Sequence, residues 1–414
     1  MKDQALGING LGRIGKLSVW QHVERKKFSK IVVNIGRKVG TSLEDVATFI
    51  EKDSTYGTIH NYLYGYKAKR VIENLDEKSG SMTINGLPVI ILRETRNPKE
   101  IPWKSHGVKV VVDTTGKFRD PTLSPDTPGG SVRGHLAAGA RKVIVSAPFK
   151  IKDKTTPLPE DAVTSLMGIN EADYDPRKHN IISNASCTTN CLAHIVKPIL
   201  DYFGFQKILT ISMITVHTVT GSQVVLDRAP KSGDADLRRN RSVFENIILT
   251  TTGAAKALAQ VIPEVKKIGF MAESVRIPAR AGSITIVVFN IQGDPAKDPI
   301  TRDLINQIYK DAAAREKRGY LLFSDEQNVS SDIVGHPLAT AIIEGKETET
   351  RAGNVSFDLS SIEGYTKEIE ASLGTGTIEI PVTTAVVYGW YDNEMGGYTH
   401  MLAERTLSVA SMLD

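Results

Sequence analysis

The run Gly7-Ile8-Asn9-Gly10-Leu11-Gly12-Arg13-Ile14-Gly15 governs how this chain begins to fold. It follows the short apolar segment Ala5-Leu6-Gly7-Ile8 and leads into a stretch of helical character from Lys16 to about Arg25. Ile31-Val32-Val33 then supplies a second buried strand. Strand, glycine turn, helix and strand, in that order, is the context that a dinucleotide fingerprint requires. The glycines permit a tight turn and close backbone approach, while N–H groups at the helix start face a pyrophosphate. Gly10, Gly12, Arg13, Ile14 and Gly15 are therefore candidate cofactor-binding residues. A lone G-x-G-x-x-G carries little weight; here its flanks supply it.

Outward from this unit, Val89–Leu92, Val108–Asp113 and Lys142–Ser146 read as further strands, with a helix expected from Ser131 to Gly139. Together they predict an open, mainly parallel sheet of the Rossmann type. After Cys187 the pattern changes. Ile208–His217 and Ser283–Ile291 are long β-branched strands suited to a mixed or antiparallel sheet, and Gly253–Val261 and Ile300–Ala314 have helical spacing. A last helix is expected from about Tyr398 to Leu413. The fold class is thus α/β, a dinucleotide-binding domain over residues 1–186 completed by 394–414, joined to an α+β domain over 187–393. Pro121–Gly130, Ile151–Pro159 (with Lys152, Asp153 and Lys154) and Glu344–Gly376 read as solvent-facing loops.

At 414 residues the chain is long enough for two cores. Its net charge of +4 is small for that length and gives no footprint for nucleic acid, and no apolar run approaches bilayer-spanning length. Neither nucleic acid nor membrane is an expected partner. The N-terminus lacks a charged-then-apolar signal pattern. Cys187 and Cys191 are the only cysteines, and their spacing suits a disulfide poorly. So few thiols point to a reducing compartment, and a cytoplasmic location is expected. No metal site is expected.

Ser183-Asn-Ala-Ser-Cys187-Thr-Thr-Asn-Cys191 places one thiol among small and hydroxyl residues, just ahead of a helical run through Leu192, Ile195, Val196 and Ile199. A helix N-terminus there stabilises a thiolate, and small neighbours let a substrate approach. A cysteine in such a turn is commonly inert, but a nine-residue match is specific. The stretch resembles the active-site signature of the phosphorylating glyceraldehyde-3-phosphate dehydrogenase family. Thr215-Val-His217 resembles the family's Thr-Val-His segment, Thr250-Thr-Thr-Gly253-Ala-Ala-Lys256 its Ser/Thr-Thr-Gly-Ala-Ala-Lys helix start, and Arg276-Ile-Pro278 its Arg-Val-Pro. Trp390-Tyr-Asp-Asn393-Glu394 resembles the segment whose Asn anchors the nicotinamide amide.

The resemblance implies oxidation of glyceraldehyde 3-phosphate with NAD or NADP and inorganic phosphate, giving 1,3-bisphosphoglycerate. It implies Cys187 as nucleophile and His217 as base. Thr220 and Arg276 would hold the substrate phosphate. Ser186, Thr188, Arg239, Thr252 and Gly253 would hold the attacking phosphate. Arg96, Thr115, Ser146 and Asn393 join the cofactor set, and a homotetramer is implied. An erythrose-4-phosphate dehydrogenase-like enzyme, releasing acid by hydrolysis, is one alternative; a non-catalytic binding protein on the same scaffold is another. Ile35 stands where the family normally has Asp for the ribose hydroxyls, with Arg37 close by. Loss of the carboxylate removes repulsion against a 2′-phosphate, so NADP or dual use is expected. Asn393-Glu-Met-Gly-Gly-Tyr398 carries one residue more than the family pattern, and Gln223–Asp236 is expanded.

Overall fold

The computed structural model describes residues 3–153 and 155–413. Lys154 and the outermost residues of the 1–186 and 394–414 spans lie outside the described residues. The glycine-rich run forms the end of strand β1 (Ala5–Asn9) and the turn into helix α1 (Arg13–Arg25), followed by β2 (Lys30–Asn34). Three later strands complete the centre of this sheet: β3 (Leu87–Leu92), β4 (Val108–Asp113) and β5 (Lys142–Val145). The spatial order runs β5-β4-β1-β2-β3, flanked by Ile181–Ser183 and Ala162–Thr164 on one side and by Ser81–Ile84 and Ile72–Asp76 on the other. Pairing is parallel except at the last two strands, with Ile8 opposite Val33 and Val112. The chain winds away from β1 in both directions, so a crevice opens at the carboxyl ends of β1, β2 and β4. Leu17, Val19, Trp20 and Val23 of α1 bury one core with Ile8, Ile31 and Val33. The nine-stranded sheet with its glycine turn is a Rossmann-type dinucleotide-binding fold.

The second layer begins with helix α2 (Cys187–Phe203) and carries an eight-stranded mixed sheet. Its central strands are β6 (Ile208–His217), β7 (Gly269–Arg276), β8 (Ser283–Gln292) and the long β10 (Thr377–Tyr391), which also pairs with β9 (Glu349–Asp358). β6 and β7 run parallel and in register to their ends, where His217 lies opposite Arg276. β8 alternates buried and half-buried residues along nearly its whole length, as a sheet with one face on a core must. Cys191, Leu192, Ile195, Val196 and Ile199 of α2 enter that core, so the helix that starts at Cys187 is anchored along its length. The closing helix α3 (His400–Ser411) returns to the first layer, where Leu402 and Val409 join the α1 core.

Three elements differ from the sequence expectation. The helix expected over 131–139 shrinks to Arg133–Ala137, because Gly139, at φ +104°, turns the chain away. The Glu344–Gly376 stretch is solvent-facing but not a loop. β9 pairs with β10 over ten residues, from Glu349 opposite Val386 to Asp358 opposite Thr377, and helix Lys367–Leu373 caps the hairpin. Both faces of β9 are wet, so no apolar alternation marks it. The terminal helix begins as a π-turn over Met395–Thr399. That turn absorbs the extra residue of Asn393–Tyr398. Gly396 is forced there, since a Cβ would fall 1.5 Å from the His336 carbonyl oxygen.

Candidate active site

Cys187 is the first residue of α2, and Ser186 caps it by accepting a hydrogen bond from the Thr189 N–H at 3.1 Å. The N-terminal position sets unpaired N–H groups and the positive end of the helix dipole beside the thiol. His217 arrives from the end of β6 with Nε2 3.5 Å from Cys187 Sγ. Its Nδ1 lies 2.8 Å from the Thr218 carbonyl oxygen, an acceptor only. Nδ1 therefore carries the proton, and Nε2 presents its lone pair to the thiol.

Arg276 completes this cluster from the end of β7. One terminal nitrogen donates to the Thr218 carbonyl at 3.1 Å, while its buried Nε has no partner among the described residues. Burial pushes the Cys187 thiol up, opposed by the Arg276 charge and the Thr188 N–H. Burial also pushes His217 down to about 3, and Arg276 adds to that. The neutral thiol–imidazole pair is therefore the form this environment favours, with the imidazole poised as acceptor. Cys191, one turn on, is fully enclosed, and burial pushes its thiol up.

The other expected anion ligands spread around this centre. Thr220 is half-buried, and its N–H and hydroxyl both donate to Gln223 Oε1. Ser186 Oγ pairs with Thr189 Oγ1 at 2.8 Å, and Thr188 Oγ1 with Tyr391 Oη at 3.0 Å. Both hydroxyls are thus engaged within the fold. Thr252 and Gly253 precede helix Ala254–Val261, with Thr252 Oγ1 accepting from the Ala254 N–H at 3.2 Å. Arg239 is largely exposed and lies 3.5 Å from Asp236, yet its charge is felt at Arg276.

Tyr391 is a residue that reading the motifs missed. Its hydroxyl bridges Thr188 at 3.0 Å and Thr215 at 2.8 Å, and its ring meets His217 edge-on. It therefore ties α2 to β6 directly beneath the thiol. Trp390-Tyr391-Asp392-Asn393 signalled this segment, but not which side chain braces the helix.

The residues in the crevice fit a dinucleotide. Gly10 has φ +99°, and a Cβ on Gly15 would lie 2.1 Å from the Gly10 carbonyl oxygen, so the turn and helix close only with glycines. A Cβ on Gly12 would meet nothing within 4 Å, which leaves open space where the helix N–H groups point. Asn393 is 3% exposed; its Oδ1 accepts from Thr218 Oγ1 at 2.8 Å while Nδ2 is without a partner among the described residues. An amide carbonyl would satisfy that donor. Ser146 Oγ bonds Tyr398 Oη at 3.1 Å, and Tyr398 in turn donates to the Ala185 carbonyl, linking β5 to the thiol-bearing turn. Thr115 donates to Asp113 at the end of β4. Arg13 is drawn elsewhere: it is held by Asp53 and by Glu394 of the C-terminal segment, and Lys16 meets Asp53 at 2.7 Å. Burial works against the Arg13 charge, but the bonds to Glu394 and then Asp53 outweigh it and raise its pKa. Ile35 is half-buried, with its N–H bonded to the Leu92 carbonyl at 2.9 Å, while Arg37 and Arg96 are exposed beyond β2. Among the described residues no group of His, Cys, Asp and Glu is arranged to hold a metal ion, and no helix is long and apolar enough to cross a membrane.

Two family models match the chain. One, described as the glyceraldehyde 3-phosphate dehydrogenase NAD binding domain, covers residues 4–121; the other, the C-terminal domain of the same enzyme, covers 186–360. Curated relatives extend over nearly the whole length. A protein named glyceraldehyde-3-phosphate dehydrogenase 2 from Streptomyces avermitilis is 35% identical over 409 residues, covering 99% of each chain. One of the same name from Bacillus subtilis is 37% identical over 346 residues, 83% of this chain and 87% of its own. A glyceraldehyde-3-phosphate dehydrogenase from Streptomyces coelicolor is 34% identical over 410 residues, 99% of each.

Proposed function

The chain belongs to the glyceraldehyde-3-phosphate dehydrogenase family, and on that premise we propose that it is the phosphorylating enzyme, oxidising glyceraldehyde 3-phosphate through a thioester on Cys187 and releasing it to inorganic phosphate. It is an oxidoreductase whose cofactor is NAD or NADP. The observation that carries the finer reading is the alignment of Cys187 Sγ with His217 Nε2 at 3.5 Å beside the unpartnered Nε of Arg276. His217 Nε2 takes the thiol proton as Sγ adds to the aldehyde carbon, gives it to the adduct's oxygen, and takes it back when that hydroxyl is oxidised to the thioester carbonyl. The bound nicotinamide supplies the hydride acceptor. Thr218 holds the imidazole in the tautomer that makes Nε2 a base, and Asn393 is placed to orient the nicotinamide amide. N–H groups at the start of α2 face the oxyanion. Arg276, half-buried with its Nε unpartnered among the described residues, suits the substrate phosphate.

The absence of a carboxylate at Ile35, with exposed Arg37, Lys38 and Arg96 around the end of β2, supports NADP use at least equal to NAD. Exposed Leu209, Ile214, Leu249 and Met271 on the second sheet, and Val225 and Leu226 on the loop after His217, support a homotetramer. Residues 1–186 with 394–414, and 187–393, are taken as its two domains, and the two free thiols as the mark of a cytoplasmic protein. One observation favours a second reading: Arg239 is exposed and paired with Asp236, so the attacking-phosphate site is looser than the Arg276 site. That suits hydrolysis of the thioester, as in an erythrose-4-phosphate dehydrogenase-like enzyme. Steady-state rates with glyceraldehyde 3-phosphate and each cofactor, with and without phosphate or arsenate, decide between them. Turnover that ignores both anions would overturn the phosphorylating assignment.

A further inference from the structure

Beyond the carboxyl ends of β4 and β5 lies a cavity of about 400 Å³ that the mechanism above does not use. One wall is the turn after Phe118 with the Pro121–Gly130 stretch; the other is the segment after Pro148. The walls are fastened to each other. The Lys150 N–H donates to the Arg119 carbonyl at 2.9 Å, and the Lys152 N–H to Asp120 Oδ2 at 3.0 Å. The cavity is therefore a feature of the folded chain and not a gap between loose loops.

Its charge is one-sided. Lys117, Arg119, Lys150 and Lys152 line it, and among the described residues none of the four forms an ion pair. Lys117 Nζ donates only to the Gly129 carbonyl, at 2.9 Å. Asp120 is the single carboxylate in the lining, and both its oxygens are taken. Oδ1 accepts from the Thr122 N–H at 3.0 Å and hydroxyl at 2.6 Å, and Oδ2 from the Lys152 N–H. A second, independent feature points to a ligand. Ser131, also in the lining, is 1% exposed, and its Oγ has no hydrogen-bond partner among the described residues. Buried hydroxyls are nearly always satisfied, so an orphan in a cationic cavity marks a place for an acceptor.

We propose that this cavity binds a small anion bearing two or more phosphate groups. A single negative charge would leave most of these four cations uncompensated, whereas a compact polyanion matches them and offers the Ser131 hydroxyl an acceptor oxygen. The cavity borders the crevice, since the Lys117 N–H donates to Thr115 Oγ1 at 3.2 Å, but its lining includes neither the Gly10–Gly15 turn nor Cys187, His217 or Arg276. Its volume sits at the lower end of the roughly 300–1,000 Å³ typical of small-molecule sites.

The test is calorimetric titration of the enzyme, saturated with reduced cofactor so that its dinucleotide crevice is filled, with inorganic pyrophosphate at low ionic strength. One pyrophosphate per chain is expected. Binding should weaken at least tenfold in Arg119→Ser/Lys150→Ser and severalfold in Ser131→Ala, while Arg276→Ala leaves it unchanged. Orthophosphate should bind at least tenfold more weakly than pyrophosphate. A nucleoside diphosphate and a sugar bisphosphate, titrated alongside, separate a free polyphosphate from a phosphate ester as the preferred form. No binding, binding indifferent to the Arg119/Lys150 change, loss in Arg276→Ala, or equal affinity for orthophosphate would each overturn the proposal. Ser131→Ala guards against misfolding as an explanation, because it removes a donor without touching the charge.

Discussion

Replacing Arg276 separates two roles that its position gives it. The guanidinium sits at the end of β7, where its charge acts on the thiol, with one nitrogen on the Thr218 carbonyl at 3.1 Å and Nε unpartnered among the described residues. On the proposed role, Arg276→Ala removes charge-assisted bonds to a substrate phosphate, a set worth roughly 1.5–3 kcal/mol, which is about a 10- to 150-fold loss in kcat/KM. It also removes the charge that opposes burial at Cys187 and that pushes His217 down. The thiol should therefore titrate higher, and the imidazole should gain protons more readily. Arg276→Lys keeps the charge but loses the planar fork, so it should hold the thiol near its original titration and still lose aldehyde-phosphate affinity. The assay is the pH profile of iodoacetamide inactivation, set beside kcat/KM for glyceraldehyde 3-phosphate and for glyceraldehyde itself. The expected pattern is an upward-shifted alkylation profile in Arg276→Ala alone, with phosphate-specific loss in both variants. An unshifted profile in Arg276→Ala, together with equal losses for both aldehydes, would refute the reasoning and leave Arg276 a strand-end residue with a structural task.

Cys187→Ser should abolish dehydrogenase turnover, because an alcohol supplies no comparable nucleophile near neutral pH, whereas Cys191→Ser should retain most of it; equal loss in the two would undo the assignment. Ile35→Asp should shift the NADP-to-NAD ratio of kcat/KM toward NAD by roughly tenfold or more, and Arg37→Ala should weaken NADP alone; the ratio measured at fixed ionic strength checks both. Tyr391→Phe should cost about 1–3 kcal/mol of stability by leaving the Thr188 and Thr215 hydroxyls buried without their shared partner, and should slow alkylation of Cys187; thermal unfolding and thiol kinetics read the two effects. Asp53 is held at about 2, where the bonds from Lys16 and Arg13 outweigh burial. A carboxylate depressed from its unfolded value near 4 stabilises above that value and loses its contribution as pH falls through about 2. Asp53→Asn should therefore cost stability at neutral pH, with the gap to the parent closing between about pH 4 and 2 in denaturant titrations.

Legibility followed periodicity and close contact. The glycine turn could be read because Gly10 needs left-handed backbone and Gly15 admits no side chain, demands that survive in sequence. Val108–Asp113 and Ile208–His217 are β-branched runs buried on a core, and the structure gives them those same bounds. The Glu349–Asp358 strand carries no such signal. Its residues are exposed on both faces, and the partner that makes it a strand is β10, some twenty residues later. Pairing, not burial, makes it a strand, and pairing leaves no trace in a single strand's pattern. The π-turn at Met395–Thr399 was hidden for a related reason: an added glycine reads as a loop signal, yet here it lets the backbone pass within contact of His336.

The site divides along the same line. Cys187 and His217, the proposed nucleophile and base, could be picked out from short motifs because that chemistry calls for those residue types beside small or hydroxyl neighbours. Their approach to 3.5 Å depends on things no motif carries: the parallel register that sets His217 opposite Arg276, and the Tyr391 hydroxyl that ties α2 to β6. Arg13 shows the converse. Its place in the fingerprint suggested a cofactor contact, whereas Asp53 and Glu394 hold its guanidinium, joining the glycine turn to the C-terminal segment that also bears Asn393. Its ion pair with Glu394 ties the glycine turn to the segment that carries Asn393, whose Nδ2 has no partner among the described residues.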